Sequence, residues 1–155
     1  MDAARRRMGT EQRGPVPGSG ASTLIDTLVD LPSTSEMLAA MTVFTYRQPI
    51  TTVVNAHSDG DHYFGNQLVV GDGVQIIASQ AAAELMTQEA VDEIAALSGL
   101  PGAAGEFARK IFSPFGFDAI VLTGPTQTFS GEHPRSHANQ DVANGHIGTH
   151  TSGHI

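Results

Sequence analysis

An α/β domain is the fold class this sequence predicts, and three observations predict it. From Ser22 onward, short β-branched apolar runs alternate with longer segments whose apolar residues recur at helical spacing. Clusters of Gly, Asn, Asp and Pro punctuate that alternation. The densest group of ionisable side chains, His57 to His62, directly follows one of the apolar runs, and loops at the carboxyl ends of strands are where open α/β sheets build their sites. With 155 residues, 40% of them hydrophobic, the chain can bury one real core and is too short for two domains of ordinary size.

Residues 1–21, rich in Arg, Gly and Pro, show no apolar period and are expected to form a disordered tail. Thr23 to Val29 reads as the first strand. Ser33 and Glu36 have the spacing of a capping box, and Met37, Leu38 and Met41 give the helix after that strand an apolar face. Ile50 to Asn55 is β-branched and reads as the next strand, delivering His57 at its carboxyl end. Gly71-Asp72-Gly73 lacks the Lys-Ser/Thr ending of a phosphate loop, so it is a turn, leading into a strand through Ile77. Ser79 is the expected N-cap of a helix whose core face, Leu85, Met86, Val91, Ile94 and Leu97, runs to Ser98-Gly99. A short helix over Glu106 to Ile111 and a further strand over Asp118 to Leu122 complete the series. Phe107, Phe112, Phe115 and Phe117 either fill the core or wall an apolar pocket.

Composition excludes several classes of function. The net charge is −8 and no basic face interleaved with aromatics is present, so nucleic acid is not an expected partner. No apolar stretch approaches the roughly 18 residues of a membrane span. Arg5-Arg6-Arg7 is not followed by a hydrophobic segment, so no secretory signal is expected, and the expected location is the cytoplasm. Cys is absent, which removes disulfides and thiolate ligands alike.

The loop itself carries His57, Asp59, Asp61 and His62, four potential metal ligands within six residues. Four ionisable groups on one tight loop repel or stay wet unless a cation gathers them, and His with Asp suits zinc, iron or manganese better than calcium. An EF-hand begun at Asp59 fails on position. Tyr63 stands where the third oxygen donor belongs, Phe64 where the tight-turn Gly belongs and Val70 where the bidentate Glu belongs. A blander account makes Asp59 and Asp61 Asx turns, with Gly60 relieving the backbone and the histidines bonded locally. It explains each residue singly and not the four together after an apolar strand. An aspartyl-nucleophile phosphatase, suggested by Asp26 at the end of Leu24-Ile25, needs a second Asp two residues on, where Leu28 stands.

Asn55-Ala56-His57-Ser58-Asp59-Gly60-Asp61-His62 resembles the His-x-His-x-Asp-His signature of metallo-β-lactamase-fold hydrolases, with Asp59 in place of the second His. Leu24-Ile25-Asp26-Thr27 resembles that family's earlier strand ending in Asp, and Gly65-Asn66 and Ile76-Ile77-Ala78-Ser79 resemble the segments downstream of the signature. The resemblance covers roughly residues 22–131 and implies part of an αββα sandwich. It implies His57 and Asp59 as ligands of one metal and Asp61 and His62 as ligands of a second. Asp61 would also orient the water that attacks an ester, thioester, amide or lactone of a small-molecule substrate. Asp26 would fix the orientation of a ligand. Zinc is the metal the resemblance implies. A carboxylate at Asp59 is a harder donor than imidazole, so manganese or iron joins it, and a single-metal site at Asp61 and His62 becomes an option.

After Gly131 the pattern stops. Residues 132–155 are rich in His, Gly, Thr, Ser and Asn, without apolar period, and are expected to be a disordered His-rich tail. His146, His150 and His154 recur at intervals of four, but Gly145, Gly148, Thr149, Thr151 and Gly153 disfavour the helix that would align them. His133 and His137 likewise lack the apolar strands that would position them as the family's downstream ligands. Two functional classes are therefore open. The first is a cytoplasmic metal-dependent hydrolase. The second is a non-catalytic, truncated remnant or partner-binding fragment of such a hydrolase, whose uncovered apolar faces would invite homo-oligomerisation.

Overall fold

A computed structural model describes residues 14–131 and the backbone of the two-residue strands 136–137 and 140–141. Five strands form one sheet in sequence order: β1 (Gly14–Pro17), β2 (Ser22–Ile25), β3 (Ile50–Val54), β4 (Gln75–Ser79) and β5 (Gln127–Phe129). β1 runs antiparallel to β2, and β2, β3, β4 and β5 are mutually parallel. The α/β class expected from the alternation of patterns is the class observed. Parallel neighbours need crossovers, and these are α1 (Leu31–Thr45), a long connection holding the one-turn α2 (Gly60–Tyr63), and then α3 (Gln80–Leu85), α4 (Gln88–Leu97) and α5 (Gly102–Phe112).

β1 corrects the expected start of the domain. The Arg, Gly and Pro-rich segment was expected to be tail as far as residue 21, yet Gly14–Pro17 pairs with Ile25–Ser22 as an edge strand. Pro15 and Pro17 donate no backbone hydrogen, which an edge tolerates, and Gly20 takes the positive φ of 94° in the connecting turn. Residues 1–13 lie outside the described residues. So does most of the expected His-rich tail, of which Ser136–His137 and Gln140–Asp141 form a short antiparallel pair.

α1 begins earlier than the capping box at Ser33 and Glu36 implies. Its N-cap is Asp30, whose side chain accepts from the Ser33 N–H, and Pro32 occupies the first turn, where no N–H is needed. Asp30 outcompetes Ser33 because its carboxyl also accepts from the Gly116 N–H at 3.1 Å, anchoring the helix start to a distant loop. The expected apolar face is in place: Met41 is buried against Leu24, Val53 and Ile76, with Met37 and Leu38 packed beside them. Those three strand residues stand side by side in register across β2, β3 and β4.

The single helix expected from Ser79 to Ser98 is two. Ser79 caps α3 as expected, but Thr87 caps a new helix through the Ala90 N–H, and the chain turns at Met86. The turn buries Met86 and leaves Leu85 63% exposed, so Leu85 leaves the expected core face. A second buried cluster joins Val29, Tyr63, Phe64, Ala78, Met86, Val91, Phe117 and Ile120. Phe117 meets Phe64 and Phe112 edge to face, at ring-centre distances of 6.3 and 5.8 Å. Phe112, Phe115 and Phe117 are thus core residues, whereas Phe107 faces outward. α5 extends beyond the expected Glu106 to Ile111: Gly102 opens it at a positive φ of 70°, and Gly105 sits against the Leu100 carbonyl, where a Cβ would overlap.

The strand expected over Asp118 to Leu122 is irregular instead, and β5 lies further on. Side chains satisfy its backbone where a ladder would have: Val121 N–H donates to Gln67 Oε1 at 2.6 Å and Leu122 N–H to Gln88 Oε1 at 2.9 Å. With those groups taken, the edge of β4 is free to pair with Gln127–Phe129.

Candidate active site

The loops that leave β2 and β3 lie side by side because their strands are parallel neighbours. At the end of β2, Asp26 adopts φ 57°, the left-handed conformation that Asp tolerates better than most L-residues. Its own N–H stays on the ladder, donating to Val54 O at 2.9 Å. The turn aims the carboxyl across to the next loop. Oδ1 accepts from the Ala56 N–H at 2.7 Å and Oδ2 meets His62 Nδ1 at 2.9 Å. A carboxylate oxygen accepts, so the hydrogen of this bond belongs on His62 Nδ1, and in the neutral form of the ring the lone pair then falls on Nε2.

The signature residues follow β3 and wind into α2. Asp59 is the N-cap position of that turn, with no side-chain capping bond, and Asp61 lies in its first turn. Tyr63 and Phe64, each 2% exposed, anchor the turn in the aromatic core. Gly60 is required there by close approach, because a Cβ would overlap the Phe64 ring. Burial and the negative charge of Asp59 push the Tyr63 hydroxyl above its ordinary value, so it stays protonated at neutral pH.

The structure brings the expected ligands together in pairs. His57 Nδ1 lies 3.1 Å from Asp59 Oδ2, and His62 Nε2 lies 3.7 Å from Asp61 Oδ1. The two imidazole rings are 5.3 Å apart, centre to centre. Exposure is graded: the Asp59 side chain is 70% accessible, His62 only 12%. Asp26 stands behind His62, the orienting place the family resemblance implies for it. Among the described residues no three His, Asp or Glu side chains are gathered as an ion cage. In type, imidazole and carboxylate fit a divalent cation; in number they supply two donors for each ion, where a catalytic zinc takes three protein ligands.

Three further residues build the site and were not among the expected ones. The His62 carbonyl accepts from Thr27 N–H at 2.9 Å, Thr27 Oγ1 at 3.3 Å and Asn55 Nδ2 at 2.9 Å. Asn66 holds Asn55 in turn. Their signal in the sequence is Asn55, a strand-averse residue closing a β-branched run, and Asn66 directly after Gly65.

No protein-family model and no curated protein matches the chain. Among solved structures it is similar to a metallo-β-lactamase from Pontibacter korlensis, with 20% identity and a TM-score of 0.49 over 79% of this chain and 42% of that one. It is similar to a metallo-β-lactamase from Pseudomonas aeruginosa in a mono-zinc form, with 24% identity and a TM-score of 0.40 over 46% and 31% of the two chains. A stereoselective inverting sec-alkylsulfatase from Pseudomonas sp. aligns at 26% identity and a TM-score of 0.42, over 55% of this chain and 14% of its own. The chain therefore spans less than half the length of each of these proteins. No helix of the described residues is long and apolar enough to cross a membrane.

Proposed function

We propose that the loop at the carboxyl end of β3 is half of the active site of a metal-dependent hydrolase of the metallo-β-lactamase kind, acting on an ester, thioester, amide or lactone. The observation that carries this reading is the pairing of Asp26 with His62 Nδ1 at 2.9 Å. It directs the Nε2 lone pair of His62 toward the side on which Asp61 lies, as a carboxylate does behind a metal-ligating histidine. His57 and Asp59 would hold one divalent cation and Asp61 and His62 another, or the second pair alone would hold a single ion. Such a cation lowers the pKa of water and polarises a carbonyl. The chain's own part is to fix the His62 tautomer through Asp26, to seat α2 on the aromatic core through Tyr63 and Phe64, and to present Asp61 as orienter and proton acceptor for the attacking water.

Zinc is the first candidate, with manganese or iron suited to the carboxylate-rich pair. The test is metal content after loading and desalting. Stoichiometric metal is expected in the full chain, unchanged when residues 133–155 are removed and abolished by His57→Ala with His62→Ala. Metal that follows the tail and ignores the double change would refute the assignment. A second reading, a partner-binding fragment without turnover of its own, is favoured by the exposure of Val43, Phe44 and Tyr46 at the end of α1, at 78, 67 and 83%. Chelator-sensitive multiple turnover of simple esters or lactones, lost in Asp61→Ala, would decide for the hydrolase.

A further inference from the structure

Beneath the signature loop lies a closed knot of neutral polar side chains. Thr27 and Asn66 are 0% exposed and Asn55 is 2% exposed. Asn55 and Asn66 face each other as a reciprocal amide pair: Asn55 Nδ2 donates to Asn66 Oδ1 at 3.1 Å and Asn66 Nδ2 donates to Asn55 Oδ1 at 2.9 Å. The second hydrogen of Asn55 goes to the His62 carbonyl at 2.9 Å, and the second hydrogen of Asn66 goes to the Thr123 carbonyl at 2.9 Å. Thr27 Oγ1 lies 3.2 Å from Asn66 Oδ1 and 3.3 Å from the His62 carbonyl. Every amide hydrogen of the pair is therefore used, and neither amide can flip without setting an oxygen against a carbonyl.

Core packing does not require such a knot, since apolar residues would fill the same space without hydrogen-bond obligations. What distinguishes it is its target. Its outward bonds end on two main-chain carbonyls, and one belongs to the residue whose ring is paired to Asp26. His62 is thus held from two directions, its ring by Asp26 and its backbone by Thr27 and Asn55. We propose that Asn66, with Thr27 and Asn55, is a positioning device that fixes the His62 main chain and thereby the ring geometry in which Nδ1 carries the hydrogen. Asn66 ties that geometry to the 119–123 segment, so displacement of that segment would be felt at His62. The ring half of the inference is independent of the hydrolase proposal; its consequence for metal rests on it.

The test uses the full chain, with Thr27→Val and Asn66→Ala against Met41→Ala, a destabilising change in the separate buried cluster. Long-range 1H–15N spectra read the His62 tautomer, and cobalt(II) titration reads affinity. The wild-type ring is expected to carry its hydrogen on Nδ1. Both knot variants should give mixed tautomers and bind cobalt about tenfold more weakly, the lower end of what loss of a ligand-orienting partner costs. Met41→Ala should lower stability and move neither readout. If Asn66→Ala does not fold, Thr27→Val decides. An unchanged tautomer in the folded knot variants, or an equal change in Met41→Ala, would overturn the inference. A wild-type chain that binds no cobalt would sink the hydrolase reading while the tautomer comparison still decides this one.

Discussion

Replacing Asp26 by Asn should reverse the tautomer of His62 while leaving the fold intact. Asn accepts the left-handed backbone as Asp does, so the φ of 57° costs no more. The amide has one acceptor. If Oδ1 keeps the Ala56 N–H at 2.7 Å, then Nδ2 faces His62 Nδ1 and donates, which forces the ring hydrogen onto Nε2. A hydrogen bond to an ionised group contributes about 1.5–3 kcal/mol and a neutral one about 0.5–1.5 kcal/mol, so the exchange should cost on the order of 1 kcal/mol. For a chain of this size that is a fall in Tm of about 2–4 °C. Metal affinity, in contrast, should fall by about 10- to 100-fold, because the lone pair a metal needs is now protonated. Asp26→Ala loses both hydrogen bonds and places a Cβ residue without local bonding in the left-handed region, a further cost of about 1–2 kcal/mol that Asp26→Gly avoids. Urea denaturation should therefore rank the substitutions Asn, Gly, Ala in increasing damage, and NMR should show the tautomer switch in the Asp26→Asn variant alone. A His62 ring still protonated on Nδ1 in Asp26→Asn, or an Ala variant as stable as the Gly variant, would refute the reasoning.

Gly65→Ala should destabilise by about 1–3 kcal/mol, since the new methyl would overlap Thr34, a fully buried side chain itself held by Leu28 N–H and Asp30 O. An unshifted urea midpoint would contradict the packing described around α1. Asp30→Ala removes the α1 cap and orphans the Gly116 N–H, for a combined loss of about 2–4 kcal/mol; Asp30→Asn keeps one acceptor and should lose about half as much. In a Tyr46→Phe background Tyr63 is the remaining tyrosine, and its absorbance at alkaline pH should titrate above the ordinary phenol value. Because the folded value is raised, the unfolded chain releases its proton first, so stability is full below the ordinary tyrosine range and falls as pH climbs through the folded value. A Tyr63 transition at or below the ordinary value would contradict its burial.

Local patterns were legible in the sequence. The period of Met37, Leu38 and Met41, the β-branched run ending at Asn55 and the N-cap at Ser79 each depend on neighbours a few residues away, and each is in place. The clustering of His57 to His62 was legible for the same reason: six consecutive positions after β3 lie close together, here in a loop that winds into α2. The Asp26 to His62 bond, 36 residues apart in sequence, was accessible through the family resemblance and through no periodicity.

Three of the failures share a cause, competition by side chains for backbone groups. Asp118 to Leu122 has the apolar content of a strand, but β propensity describes how side chains suit a pleated surface and leaves open where the backbone bonds go. Gln67 and Gln88 take the N–H groups of Val121 and Leu122, a pairing across 54 and 34 residues that no window of sequence displays. Thr87 breaks the long expected helix by offering its hydroxyl to Ala90, and Asp30 displaces Ser33 by reaching both Ser33 and Gly116. The Thr27, Asn55 and Asn66 knot obeys the same rule. The role of its members emerges when parallel neighbours β2 and β3 bring Thr27 and Asn55 to one end of the sheet, where the His62 carbonyl completes their bonding. Polar residues at strand ends therefore carry information about the site that apolar periodicity does not, because a buried donor must find an acceptor wherever the topology puts one.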